Sequence, residues 1–125
     1  MKEVIFTSEA PNAVGPYSQG IKAGNTLYLS GQIGLDPKTG KLAAGGIAEQ
    51  AVQALENITA ILKSQNASMD NIVKTTVFLT DMADFQAFNA EYAKFFKKDF
   101  PARSCFAVKS LPLGAIVEIE CIAVL

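Results

Sequence analysis

From Ile116 to Leu125 the chain alternates. Val117, Ile119, Cys121 and Ala123 form one apolar row, while Ile116, Glu118, Glu120 and Ile122 form the other. Side chains of a strand point by turns to opposite faces. This stretch therefore reads as a β-strand with one face in a core and two carboxylates on the other. Such a strand needs a sheet to join and a cover for its apolar side, and the rest of the sequence must supply both.

It does so in order. Leu27, Leu29, Ile33 and Leu35 alternate with Tyr28, Ser30, Gln32 and Gly34, a second strand with the first four on its apolar side. Ser18 to Ala23 reads as its partner across a Gly24-Asn25 turn, both residues tolerating positive φ. Asp36-Pro37-Lys38-Thr39-Gly40 is a further turn. Ile47, Ala51, Leu55, Ile58 and Leu62 recur at helical spacing, predicting a helix over 47–64 that starts at Gly45-Gly46. Ile72 to Leu79 is β-rich, with Val73, Val77 and Leu79 opposite Lys74, Thr76 and Phe78. Asp81 or Asp84 then caps a second helix with the stripe Phe85, Phe88, Tyr92, Phe95 and Phe96, running as far as Phe100-Pro101. The order β-β-α-β-α-β-β predicts an α+β fold: a single mixed β-sheet with two helices on one face, in one domain spanning 1–125.

Two helices cover only one face of that sheet. The other carries Tyr28, Ser30, Lys74, Thr76, Phe78, Glu118 and Glu120, a half-apolar surface of the kind that meets another subunit. A carboxylate enclosed there would have its pKa tuned by desolvation.

The chain contains no histidine. Ser-His-Asp and Cys-His pairs are therefore excluded for want of the base, as are zinc sites that use histidine. Cys105 and Cys121 are too few for a four-thiolate site and read as free thiols. Eleven basic and twelve acidic residues give a net charge of −1, which argues against a general grip on nucleic acid or anionic membrane. The start has no apolar core of a secretory signal, and the apolar runs fall far short of the ~20 residues of a spanning helix. A soluble cytoplasmic protein is expected. Gly45-Gly46 and Gly31-Gln32-Ile33-Gly34 match neither a Walker A loop nor a dinucleotide fingerprint. No ATP or NAD site is indicated.

Acid–base chemistry must then use Asp, Glu, Lys, Tyr, Cys or water. Arg103, stiffened by Pro101, offers two parallel donors that match a carboxylate; the same residue would equally serve as a surface or salt-bridging arginine. Glu118 sits in an otherwise apolar strand pattern, where it could relay protons to a water. It and Glu120 would equally suit a solvated sheet face. Cys105 has no base to activate it and reads as a small hydrophobe. The aromatic stripe of the second helix reads as core.

Taken together, these residues resemble the RidA/YjgF family of reactive-intermediate deaminases along essentially the whole chain. The landmarks are Ala10-Pro11, Gly15-Pro16-Tyr17-Ser18-Gln19, Ser30-Gly31-Gln32, Val73-Lys74-Thr75-Thr76-Val77-Phe78, Phe88-Asn89-Ala90, Phe100-Pro101-Ala102-Arg103-Ser104 and Val117-Glu118-Ile119-Glu120. The resemblance implies a chorismate-mutase-like fold and a homotrimer with active clefts between subunits. It also implies hydrolysis of enamines and imines such as 2-aminoacrylate, 2-iminopropanoate and 2-iminobutanoate to 2-oxo acids and ammonia, without metal or cofactor. That activity protects pyridoxal-phosphate enzymes. Carried over by position, Arg103 binds the substrate carboxylate, and Glu118 orients water and moves protons. Tyr17 and Ser30 line the cleft, Gly31 and Cys105 contact the ligand, and Asn89 on the second helix belongs to the same site. An endoribonuclease, or a non-catalytic ligand-sensing or chaperone-like trimer, are the competing readings. The low charge opposes the first, and retention of both Arg103 and Glu118 opposes the second.

Overall fold

Six strands and two helices form in the computed structural model, which describes residues 1–125. The strands are β1 (Lys2–Ile5), β2 (Gly20–Ala23), β3 (Thr26–Ile33), β4 (Ile72–Leu79), β5 (Ala102–Ala107) and β6 (Val117–Val124). The helices are α1 (Ile47–Lys63) and α2 (Phe85–Ala93). The strands make one sheet in the order β1-β2-β3-β6-β4-β5. Only β4 and β5 run parallel, and α2 supplies the crossover that a parallel pair requires. The sheet is therefore mixed, as the element order predicts.

The alternating C-terminal strand is central, paired antiparallel to β3 on one side and β4 on the other. Its inner row, Val117, Ile119, Cys121 and Ala123, is buried, as are Leu27, Leu29, Val77 and Leu79 beside it. Burial holds the Cys121 thiol up to about 12, with the neighbouring Glu120 adding to the effect. Over this face lies α1, which buries Ala51, Ala54, Leu55, Ile58, Ile61 and Leu62 completely. Each large side chain so buried contributes roughly 1.5–3 kcal/mol, and cutting Ile58 to Ala would cost about 2–5 kcal/mol. Helix α1 starts where the glycines predict. Gly46 is its N-cap, and the Gly46 amide donates to Glu49 Oε1 at 2.9 Å. That bond holds the Glu49 carboxyl below its usual range.

Val73, expected on one side with Val77 and Leu79, is 49% exposed, because the β4–β6 register shifts between Ile72 and Lys74. Three further features differ from the sequence reading. The first is the edge strand β1, in which only Ile5 is buried, so no apolar alternation announces it. The second is the end of α2, at Ala93 rather than near Phe100. Past Ala93 the backbone tightens: Lys94, Phe95 and Phe96 donate to carbonyls three residues back. This turn delivers Phe96 into the core and starts the return toward β5. The third concerns Ile33. The β3–β6 register passes from Leu29↔Cys121 to Gln32↔Ile119, leaving Ser30 and Gly31 opposite the single residue Glu120. This is a β-bulge. It turns Gln32 inward, where it is buried, and sets Ile33 beside Glu118 instead of with Leu29.

Candidate active site

The uncovered face carries Tyr28, Lys74, Thr76, Phe78, Phe106 and Ile122 around the two carboxylates. Tyr28 is 49% exposed and Phe106 46%, and the Phe78 and Phe106 rings meet edge to face at 5.3 Å. The half-apolar surface expected from the alternation is therefore present.

Glu118 opens onto a cavity of about 540 Å³ at one end of this face. Tyr17, Ser30, Gly31, Leu113 and Glu120 also line it. Gln19 fixes the loop that brings Tyr17 there. Its buried side chain accepts from the Thr7 amide at 2.7 Å and donates to the Thr7 and Pro11 carbonyls at 3.0 and 2.8 Å. Ser30 is set by its hydroxyl, which donates to the Ser18 carbonyl at 2.5 Å. The bulge explains the glycine that follows. A Cβ on Gly31 would come within 2.8 Å of Glu118 Cδ, so the carboxylate occupies space that only a missing side chain leaves. Desolvation raises the Glu118 pKa above the ordinary carboxyl value, and the like charge of Glu120 raises it further. A carboxyl raised in this way, open to a cavity, is suited to exchanging protons with a water.

Arg103 lies elsewhere. Its ladder partner is Thr75, an inward-facing residue of β4, so Arg103 points to the helix side of the sheet. There Nη1 donates to Asn89 Oδ1 at 2.8 Å. The guanidinium carbon stands 4.9 Å from the Tyr92 ring centre, 5.5 Å from that of Phe85 and 6.0 Å from that of Phe88. Arg103, Asn89, Tyr92 and Phe100-Pro101 line a second cavity of about 420 Å³. No carboxylate of the chain pairs with Arg103; the only ion pair is Lys94–Glu91 at 3.1 Å. Cys105, two residues on, faces the same side and packs against the core. Burial pushes its thiol pKa up, against a smaller opposing effect of Arg103.

The residues read as a site therefore fall into two groups. Tyr17, Ser30, Gly31 and Glu118 share one cavity. Asn89 and Arg103 share the other, with Cys105 on the same side of β5. The sequence reading missed Tyr92 and Phe85 as part of the arginine's surroundings, because a helical aromatic stripe reads the same whether it fills a core or cradles a cation. Another cavity, about 580 Å³ between α1 and the Asp36 turn, holds none of these residues. No group of three or more Cys, Asp or Glu side chains is placed to hold a metal ion, and no helix is long and apolar enough to cross a membrane.

Known proteins of similar sequence and shape are numerous. The human 2-iminobutanoate/2-iminopropanoate deaminase is 48% identical over 124 residues, which cover 99% of this chain and 90% of that protein. The crystal structure of the E. coli YjgF gene product superposes with a TM-score of 0.94 at 46% identity, covering 98% of each chain. That of E. coli TdcF with bound serine gives 0.94 at 42% identity, again covering 98% of each. The family model described as endoribonuclease L-PSP matches residues 7–125. The chain thus belongs to the endoribonuclease L-PSP (RidA/YjgF) family.

Proposed function

We propose that this protein hydrolyses reactive 2-imino acids and their enamine tautomers, such as 2-aminoacrylate/2-iminopropanoate and 2-iminobutanoate, to 2-oxo acids and ammonia. The observation that carries this reading is Arg103. It is a partly buried guanidinium, held by Asn89 and aromatic rings, with no carboxylate of its own chain to neutralise it. The identity to proteins named for this deamination supports the same chemistry.

Arg103 holds the substrate carboxylate through two parallel N–H donors and so fixes C2 of the iminium beside a water. Glu118 takes a proton from that water as its oxygen bonds to C2, giving a carbinolamine. Glu118 then returns the proton to the nitrogen. The C–N bond breaks as C2=O forms, the nitrogen leaves as ammonia, and the hydroxyl proton passes to solvent. Protein groups of this kind contribute about 10²–10⁴-fold to rate. No covalent enzyme intermediate is involved, and Cys105 serves packing and ligand contact.

Because Arg103 and Glu118 lie on opposite faces, the complete site is read as a cleft between subunits of a homotrimer. There the open face of one copy meets the Arg103 side of the next. The exposed Tyr28 and Phe106 support that association. Tyr17, Ser30 and Gly31 line the cleft from one subunit, while Asn89 and Cys105 line it from the other. The same reading places the protein in the cytoplasm. Neither the ribonuclease nor the ligand-sensing reading is favoured. A net charge of −1, with Glu118 and Glu120 in the cavity, repels a phosphodiester, and a proton-transfer carboxyl is superfluous in a sensor.

The test is to add the purified protein to a pyridoxal-phosphate dehydratase that generates 2-aminoacrylate and to follow pyruvate release. Acceleration above the uncatalysed rate, proportional to added protein, is expected. Release at the uncatalysed rate would rule the reading out.

A further inference from the structure

Tyr92 is held by its neighbours on a helix, the turn after it and a strand. Its ring packs between those of Phe88 at 5.4 Å and Phe96 at 4.8 Å. Its hydroxyl and Thr75 Oγ1 are 2.8 Å apart in a hydrogen bond. Tyr92 is 4% exposed and Thr75 1%, so neither has water as an alternative partner. Thr75 is also the ladder partner of Arg103, and the Arg103 guanidinium lies 4.9 Å above the Tyr92 ring. The three residues close a ring of contacts: strand pairing from Arg103 to Thr75, a hydrogen bond from Thr75 to Tyr92, and a cation–π contact back to Arg103.

A guanidinium on a long flexible stem loses rotamer freedom when it binds. A flat, immobile aromatic surface beneath it removes that freedom beforehand and leaves the N–H edges free for in-plane bonds. Asn89 takes one of those donors, at Nη1. The donors that remain define where a carboxylate can lie.

We propose that Tyr92, locked by Thr75, is a positioning residue that presets Arg103 for the substrate carboxylate. This rests on the reading of Arg103 as the carboxylate anchor. Tyr92 touches no reacting atom; it sets the plane of the group that does. Burial raises the Tyr92 pKa, outweighing its bond to Thr75 and the charge of Arg103, so the hydroxyl stays neutral and able to donate.

Calorimetric titration with 2-oxobutanoate, a stable carboxylate of the product type, tests this in the intact protein. Tyr92→Leu is expected to weaken binding about tenfold, the scale of a partly desolvated cation–π contact, with unchanged stoichiometry. A purely structural role would instead lower the fraction of competent sites at unchanged Kd. Tyr92→Phe and Thr75→Val each remove only the locking bond. Each is expected to weaken binding about two- to threefold, and the double variant no more than either alone. Those two variants keep the test open if Tyr92→Leu does not fold. Wild-type Kd in Tyr92→Leu, or in both single-bond variants, would overturn the proposal, as would full additivity in the double variant. Arg103→Ala is the control. If it loses binding while the Tyr92 and Thr75 variants do not, only the positioning role fails. If Arg103→Ala binds as the wild type does, the anchor reading fails and the positioning role falls with it.

Discussion

Arg103 and Glu118 project from opposite faces of one sheet. Arg103 pairs with Thr75, which is buried beneath the helices, whereas Glu118 pairs with Phe78 on the open face. The backbone of the sheet stands between them. A small imino acid has its carboxylate one bond from its reactive carbon, so it cannot touch both groups of a single chain. Either one of the two residues is idle, or a second copy of the chain completes the site.

The pKa of Glu118 links activity and stability in opposite directions. Its folded value lies above 4.5, from desolvation first and Glu120 second. Between the unfolded and folded values the folded state binds more protons, so stability falls as pH rises through that window. Replacing Glu118 by Gln removes this loss. Glu118→Gln should melt higher than wild type at pH 7, and the gap should vanish below about pH 4, where both states are protonated. Turnover should meanwhile fall by about 10²-fold or more. Thermal melts across pH, alongside pyruvate release, check both. Wild-type turnover would remove Glu118 from the proton path.

Gly31 offers a different handle on the same group. Its backbone is not in the left-handed region, and the three atoms nearest an added Cβ all belong to the Glu118 side chain. Gly31→Ala should therefore fold normally but displace the carboxylate, with a turnover loss approaching that of Glu118→Gln. Affinity for 2-oxobutanoate, for which Arg103 is the proposed anchor, should change much less. Near-wild-type turnover in Gly31→Ala would mean that Glu118 can act from another rotamer.

Much of this was legible in the residues themselves, and what was not has identifiable causes. Helix α1 and strands β4 and β6 are long and periodic, so composition and spacing define them. Strand β1 buries only Ile5, which is no pattern at all. The exchange of Ile33 and Gln32 comes from the bulge at Ser30-Gly31, and alternation has no means of registering an extra residue. Arg103 and Glu118 stand out as candidates by their motifs. Their placement on opposite faces does not, because relative facing depends on the β4–β5 and β4–β6 registers. Tyr92 was read as core, and it is core; its second contact, with Arg103, leaves no trace in periodicity.

Cys105 should prove dispensable for the chemistry. Burial raises its pKa, so the thiol stays neutral, and the chain has no histidine to deprotonate it. Cys105→Ser should keep most of the pyruvate-forming activity, with any loss reflecting packing against the core. A loss as complete as that of Arg103→Ala, in a protein of unchanged oligomeric state, would point to a thiol intermediate and overturn the water-attack mechanism.

The division of the site across two faces makes the most discriminating prediction. Wild type should scatter light as three times 13.3 kDa, a ring in which each open face meets the Arg103 side of a neighbour. Arg103→Ala and Glu118→Gln should each be nearly inactive as pure trimers. Unfolded together in equal amounts and refolded, they should assemble mixed rings. In such rings an intact Arg103 from a Glu118→Gln chain faces an intact Glu118 from an Arg103→Ala chain. With random assembly about a quarter of the clefts are restored, so activity should return to roughly that fraction of wild type. Mixing without unfolding should restore none until subunits exchange. If co-refolded rings form and remain inactive, the two residues do not serve one cleft from different chains, and the shared-site reading of Arg103 and Glu118 must be abandoned.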